Sequence, residues 1–124
     1  MGNPFVHIEL QTNDVAKAKA FYSRLFDWKL EDVPMDGGSY TMIGVGEGTG
    51  GGMIKSQALA GAPPQWLAYV AVADVAASTR KAKELGAKVV MDKTQVGEIG
   101  WMSILTDPTG ANFALWQPRP SQKK

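Results

Sequence analysis

The sequence contains no cysteine and only one histidine. Without cysteine there are no disulfides, no thiolate metal sites and no thiol nucleophile, and such a composition is typical of cytoplasmic proteins. Neither sign of charge is in excess, because 13 Lys and Arg residues against 12 Asp and Glu residues leave a formal charge of +1. We therefore expect a cytoplasmic protein with no nucleic-acid partner, since that partner requires a basic surface.

Long hydrophobic runs are missing as well. No apolar stretch approaches the ~20 residues that a membrane span requires. The first five residues also lack the basic and apolar regions of a signal peptide. The chain has 124 residues, of which 44% are hydrophobic and 20% charged, as in a globular domain with one core. We expect a single domain over residues 1–124 and no membrane partner.

The chain repeats itself with a period of sixty residues. Asp14-Val15-Ala16 matches Asp74-Val75-Ala76, and Thr49-Gly50 matches Thr109-Gly110, without a gap between them. Single identities lie between these two matches. A period of this length predicts a duplicated supersecondary unit, because a solenoid usually needs three or more repeats.

Each copy predicts a strand, a helix and three further strands. In copy one, the strand 5–11 alternates, Thr12-Asn13-Asp14 caps a helix, and the helical stripe contains Val15, Ala18, Tyr22, Leu25 and Phe26. The predicted strands that follow are 28–33, 40–45 and 51–55. Copy two has a strand at 66–72, a helix at 74–85 stopped by Gly86, and strands at 88–92, 100–106 and 111–116.

The predicted fold is therefore α+β, with two tandem βαβββ modules forming a curved mixed sheet around a cavity and the helices outside. Module one spans residues 5–55, a linker spans 56–64, and module two spans 65–118. We expect residues 119–124 to be a disordered tail. The run 46–51 matches G-x-G-x-x-G by letter, but the strand after it favours a hairpin loop over a dinucleotide site, which needs a helix there.

Alternation along each strand predicts which side chains line the cavity. The cavity side is the one that faces away from the helix. It would carry His7, Glu9 and Gln11 in copy one, and Leu67, Tyr69, Ala71, Asn112, Ala114 and Trp116 in copy two.

Three segments resemble the vicinal oxygen chelate superfamily, which includes glyoxalase I, extradiol dioxygenases, and bleomycin and fosfomycin resistance proteins. They are His7-Ile8-Glu9-Leu10 followed by Asp14, Phe21-Tyr22-Ser23-Arg24-Leu25-Phe26-Asp27-Trp28, and Thr106-Asp107-Pro108-Thr109-Gly110-Ala111-Asn112. The pair Trp66 and Tyr69 and the ending Ala114-Leu115-Trp116-Gln117-Pro118 resemble the short bacterial subgroup related to lactoylglutathione lyase.

The resemblance implies one divalent metal, held by side chains from the first and last strand of each module. His7 occupies the first of these four positions and is a good ligand. The other three fall on Leu67, Ile54 and Ala114, which have no donor atoms. We therefore expect no metal of the family type and no other cofactor.

Two functions of different classes remain open. The first is a small-molecule binder, with Gln11, Tyr69, Asn112 and Trp116 as ligand-binding residues. The second is a metal-independent lyase or isomerase acting on a small oxygenated metabolite, with His7 or Glu9 as general base. A structural role remains open for both of these side chains, and core packing remains open for the aromatic residues.

Assembly can also be predicted. Exposed strand edges and the surplus of Trp favour burial in a second copy, so we expect a homodimer with isologous contacts. Trp66 has the opposite parity to Tyr69 and would serve either in packing or in that dimer contact.

Overall fold

A computed structural model describes residues 2–35, 38–55 and 63–119. The chain divides into two compact units. The first unit covers residues 6–68, and the second covers residues 69–119 together with 2–5. The predicted linker 56–64 lies largely outside the described residues, as does the predicted tail beyond residue 119.

The elements of the first unit are β1 (Phe5–Thr12), α1 (Val15–Leu25), β2 (Lys29–Met35), β3 (Gly38–Gly44) and β4 (Gly51–Lys55). The strands lie in the order β2-β3-β4-β1. Strands β1 and β4 are parallel, whereas the other neighbours are antiparallel. Helix α1 begins where predicted, because the Asp14 side chain accepts a hydrogen bond from the backbone N–H of Lys17 at 3.0 Å.

The second unit repeats this arrangement. Strand β5 (Gln65–Ala71) crosses the boundary between the units and is followed by α2 (Val75–Glu84), β6 (Lys88–Val96), β7 (Gly100–Thr106) and β8 (Asn112–Pro118). The order is β5-β8-β7-β6, with β5 and β8 parallel. The α+β class and the duplicated βαβββ module are therefore confirmed.

Helix α2 ends as the sequence predicts. Asp74 caps its start by accepting a hydrogen bond from the backbone N–H of Ala77 at 3.1 Å. Gly86 follows the last turn with φ +105°, a left-handed conformation that a glycine adopts at little cost. No helix among the described residues is long and apolar enough to span a bilayer.

Each unit has its own hydrophobic core beneath its helix. In the first unit, Leu10, Ile43 and Met53 are buried, and the α1 residues packed against them include Val15 and Tyr22. In the second unit the buried residues are Val75, Leu105 and Leu115. Burying a side chain of this size contributes about 1.5–3 kcal/mol.

Besides shifts of one or two residues at other strand ends, the structure differs from the predictions in three places. The apolar stripe of α1 ends at Tyr22: Leu25 is 56% exposed, and Phe26 is an extended C-cap residue outside the helical phase. Strand β6 continues past Asp92 to Val96, because register shifts on both sides of Met91 interrupt the alternation from which its end was predicted. Strand β8 likewise continues two residues beyond the predicted end.

Candidate functional site

The polar side chains of β1 lie on the face opposite the core of the first unit. Leu10 packs under α1, and its neighbours Glu9 and Gln11 therefore point to the other face. Both are nearly fully buried, at 6% and 3% exposure, while His7 is half-buried. The predicted site residues of copy one thus share one sheet face.

Tyr40 of β3 joins these side chains into one network. His7 Nε2 lies 2.7 Å from the Tyr40 hydroxyl, and that hydroxyl donates to Glu9 Oε1 at 2.9 Å. Gln11 Nε2 donates to the second carboxylate oxygen of Glu9 at 2.8 Å. A buried carboxylate needs such donors, since an ionised group without them is costly to bury.

The direction of these hydrogen bonds determines the histidine tautomer. The Tyr40 hydroxyl has one proton, and it points to Glu9. The proton between His7 and Tyr40 must therefore be on Nε2 of His7, with the hydroxyl oxygen accepting it. The result is a chain of two proton donors that ends on a carboxylate.

The environment keeps the His7 ring neutral near pH 7. Burial lowers the pKa of His7 below its ordinary value of 6.5, and the negative charge of Glu9 opposes this effect only in part. Gln11 has a different feature. Its Oε1 is buried and accepts no hydrogen bond from any of the described residues.

A glycine in β4 makes the network possible. Tyr40 belongs to β3 and Glu9 to β1, and β4 lies between these two strands. Gly52 pairs with Glu9, and a Cβ atom at that position would collide with the Tyr40 ring. The missing side chain lets the ring reach across β4, over the roughly 10 Å that separate next-nearest strands.

Sequence reasoning did not identify Tyr40 as a site residue. A signal was present in the three successive glycines 50–52, because glycine within a strand often marks a place where another group approaches closely. The sequence alone does not say which side chain makes that approach. The hairpin between β3 and β4 does, and it also confirms that the loop 46–50 leads into a strand and not a helix.

The remaining predicted site residues lie in the second unit. Tyr69 is buried, its hydroxyl 3.7 Å from the Met102 sulfur, and Met102 is the cross-strand partner of Trp116. Asn112 accepts a hydrogen bond from the Thr106 hydroxyl at 2.6 Å, between the ends of β7 and β8. The structure thus brings Tyr69 and Trp116 together around Met102 and engages Asn112 in strand pairing.

A second contact between an aromatic ring and a glycine involves Trp116 and Gly100. A Cβ atom added to Gly100 would lie 2.7 Å from Cζ2 of the Trp116 ring. The Gln117 carbonyl, which lies still closer to that Cβ position, and the Trp116 ring together occupy the space that the side chain of residue 100 would need.

The positions that would hold the metal of the resembled superfamily do not offer a fitting set of donors. Leu67 and Ala114 are fully buried, Ile54 is partly buried, and all three are aliphatic. Within residues 2–35, 38–55 and 63–119, no three His, Cys, Asp or Glu side chains lie together as a possible metal site. His7 and Glu9 are the donors at hand, and they are hydrogen-bonded to Tyr40.

Trp66 packs within the first unit, on the helix-covered face. Its ring meets Tyr22 edge-on at 5.4 Å and Trp28 at 6.3 Å, and the side chain is 38% exposed. An open crevice of about 310 Å³ lies beside the two tryptophans, lined also by Ile8, Ile43, Val45, Thr49, Gly50 and Gly51. Of the two roles predicted for Trp66, packing is the one observed within the chain.

Comparison with known proteins identifies the family. Residues 5–115 match the Glyoxalase/Bleomycin resistance protein/Dioxygenase superfamily. The chain belongs to this superfamily, which confirms the resemblance inferred from the sequence.

Individual relatives are about twice as long as this chain. "Putative glyoxylase CFP32" of Mycobacterium tuberculosis is 42% identical over 114 residues, covering 89% of this chain and 44% of the relative. The anthracycline biosynthesis protein DnrV of Streptomyces peucetius is 29% identical over 123 residues, covering 88% of this chain and 45% of the relative. The chain therefore spans about half the length of the curated relatives it matches.

Solved structures share the fold at low sequence identity. Methylmalonyl-CoA epimerase from Mycobacterium tuberculosis superposes with a TM-score of 0.68 at 17% identity, covering 94% of this chain and 88% of the epimerase. The hypothetical protein BH1468 from Bacillus halodurans gives a TM-score of 0.72 at 14% identity, with both chains fully covered.

Proposed function

We propose that this protein binds a small organic molecule against the polar face of β1, and that it does so without the metal centre of its superfamily. The observation that carries the proposal is the buried network of His7, Tyr40, Glu9 and Gln11. Its members hold one another in place, so the polar contacts are arranged before a ligand arrives, which lowers the cost of binding.

The side-chain oxygen of Gln11 is the atom that we expect the ligand to contact. Its Nε2 is committed to Glu9, which fixes the orientation of the amide and leaves Oε1 as a buried acceptor without a donor in the described residues. An unsatisfied buried acceptor costs about 1–3 kcal/mol. A ligand N–H or O–H at Oε1 would recover this cost, so the proposed ligand carries such a donor.

We also propose Tyr69, Asn112 and Trp116 as ligand-binding residues of the second unit. Tyr69 and Trp116 offer aromatic faces, and Asn112 an amide, on the second unit. Flat rings and amide groups suit a planar or amphipathic molecule. The name of the relative DnrV places that protein in anthracycline biosynthesis, and we propose a ligand of flat, oxygenated character here.

A ligand screen by thermal shift tests the proposal, because a ligand that binds only the folded state raises the unfolding midpoint by mass action. Each hit is then titrated by calorimetry into the wild type, Gln11→Leu and the exposed control Gln95→Leu. We expect Gln11→Leu to weaken binding roughly tenfold, as loss of a buried hydrogen bond would, and Gln95→Leu to leave it unchanged. Hits that bind both variants as tightly as the wild type would overturn the assigned site.

A second candidate function is a metal-independent lyase or isomerase. The in-line arrangement of His7, Tyr40 and Glu9 favours it. A substrate C–H proton taken up at Nδ1 of His7 would allow the Nε2 proton to pass to Tyr40 and the Tyr40 proton to Glu9. The lowered pKa of His7 keeps the imidazole in the neutral form that a general base requires.

His7→Ala distinguishes the two functions once a ligand is known. Loss of turnover with binding retained indicates the enzyme, with His7 or Glu9 as base. Weaker binding with no turnover in either form indicates the binder. Turnover that survives the substitution would exclude His7 as the base.

We further propose that the protein is a cytoplasmic homodimer. Large apolar side chains are exposed at the end of α1, and they are Phe21 (58%), Leu25 (56%) and Phe26 (45%). Leu25→Lys should yield a monomer in light scattering at micromolar concentration. Leu85→Lys is the matched control, because Leu85 has the equivalent position in copy two and is 70% exposed. A wild-type monomer would refute the homodimer.

A further inference from the structure

Two cations lie over a single tryptophan ring in the second unit. Trp101 on β7 pairs with Gln95 on β6 and with Gln117 on β8. Lys93 lies two residues before Gln95, and Arg119 lies two residues after Gln117. Lys93 Nζ is 5.5 Å and Arg119 Cζ is 5.0 Å from the ring centroid.

This cationic group is separate from the aromatic residues predicted to bind ligand. Trp101 packs against the core of Val75, Leu105 and Leu115, which is the face of the sheet beneath α2. Met102, the next residue, points to the opposite face, where it meets Tyr69.

Among the described residues, no carboxylate neutralises the two cations. Across the parts of the chain that the structure describes, neither Lys93 nor Arg119 has a carboxylate oxygen within 4.0 Å. The nearby Asp92 side chain accepts from the backbone N–H of Lys93 at 2.7 Å and makes no ion pair with its ammonium group. A cation–π contact is worth about 0.5–1 kcal/mol at an exposed site and leaves both positive charges in place.

The Arg119 side chain also has an unsatisfied donor. Its Nε–H is buried and has no acceptor among the described residues. Burying a donor of a charged group without a partner is costly, and the guanidinium carbon of Arg119 lies 5.0 Å from the Trp101 ring centroid. An acceptor that carries negative charge would satisfy the donor and balance both cations.

We propose that Lys93, Trp101 and Arg119 form a binding site for an oxyanion, namely the carboxylate or phosphate group of a small molecule. Arg119 supplies the planar fork that matches two oxygens of such a group, and Lys93 supplies a mobile point charge. The Trp101 ring positions both cationic groups through its cation–π contacts with them. The backbone N–H of Arg119 donates to the Ile99 carbonyl at 2.8 Å, which fixes the start of the arginine side chain.

The test uses inorganic phosphate and acetate as probes, titrated at constant ionic strength and followed by the indole N–H signal of Trp101 in NMR spectra. Trp101→Phe identifies that signal. We expect a saturable shift, and the probe with the tighter apparent Kd identifies the site as one for phosphate or for carboxylate. Arg119→Gln and Lys93→Gln should each weaken binding about tenfold, as loss of a charge-assisted contact does.

Lys88→Gln is the control, because Lys88 is exposed on the same strand as Lys93 and its loss changes the net charge equally. It should leave the titration unchanged. Three results would overturn the proposal: no saturable shift with either probe, equal weakening by Lys88→Gln, or unchanged binding in both Arg119→Gln and Lys93→Gln. The dispersion of the remaining amide signals shows whether each variant is folded. If one of Arg119→Gln and Lys93→Gln does not fold, the other still tests the site.

Discussion

Replacing Tyr40 by phenylalanine removes one oxygen from the centre of the β1 network. That hydroxyl accepts from His7 at 2.7 Å and donates to Glu9 at 2.9 Å, and the Glu9 side chain is only 6% exposed. A hydrogen bond to a charged group is worth about 1.5–3 kcal/mol. The His7 donor also loses its acceptor, while the ring keeps its packing over Gly52. We expect Tyr40→Phe to lower the free energy of unfolding by about 2–3 kcal/mol.

The measurement is urea denaturation at pH 7.5, with circular dichroism as the signal and the m-value as a check on two-state behaviour. For a chain of this size the expected loss corresponds to a fall in Tm of about 4 °C per kcal/mol. Tyr22→Phe is the matched control. It removes the same atom from a tyrosine whose hydroxyl makes no hydrogen bond to any described residue. We expect this control to cost less than about 0.5 kcal/mol.

Equal stability of the two variants would refute the reasoning. It would mean that the hydrogen bonds of the Tyr40 hydroxyl to His7 and Glu9 contribute nothing to the free energy of unfolding. The network would then be an incidental contact and could not serve as a prearranged site.

Three further predictions follow from individual features. Because the pKa of His7 is lowered by burial, the unfolded state binds its proton first, so the free energy of unfolding should fall as pH drops below about 6.5. His7→Gln should flatten the pH dependence of the free energy of unfolding between pH 7.5 and 5. An unchanged slope of free energy against pH would show that His7 is not its cause. Gly51→Ala should be strongly destabilising in the same urea assay, because its Cβ would collide with the Ile8 carbonyl, whereas Gly44→Ala has room and should cost less than about 1 kcal/mol. Elemental analysis of protein without a histidine tag should find far less than one Ni, Zn, Mn or Fe per chain, and a stoichiometric metal at the family position would refute the metal-free site.

Much of the fold was predictable because it rests on local patterns that both copies repeat. The helix starts at Asp14 and Asp74 and the stop at Gly86 are each specified by one residue with a defined backbone role. The alternation in β1 also assigned Leu10 to the core face. The end of β6 was not predictable from alternation, because bulges are extra residues that break the period.

The candidate site was predictable only in part. Residues on one strand face, such as His7, Glu9 and Gln11, follow from parity. Tyr40 reaches them from a different strand, across a glycine, and no local pattern in the sequence encodes a contact between residues 31 positions apart. The same limit applies to Arg119, since its neighbour Trp101 is found only through strand pairing.

Among the described residues, each half of the chain has an aromatic ring in contact with a glycine, but the ring and the glycine lie on different strands in the two halves. Under the sixty-residue repeat, Tyr40 corresponds to Gly100, and Gly52 corresponds to Asn112. Copy one places its bulk on the third strand of the module, whereas copy two leaves that position empty and fills the space with Trp116 from its last strand. The two copies therefore place the bulky side chain on different strands of the module. The two halves are therefore not interchangeable. If the third strand of copy one replaced that of copy two, its tyrosine would take the position of Gly100 and collide with Trp116.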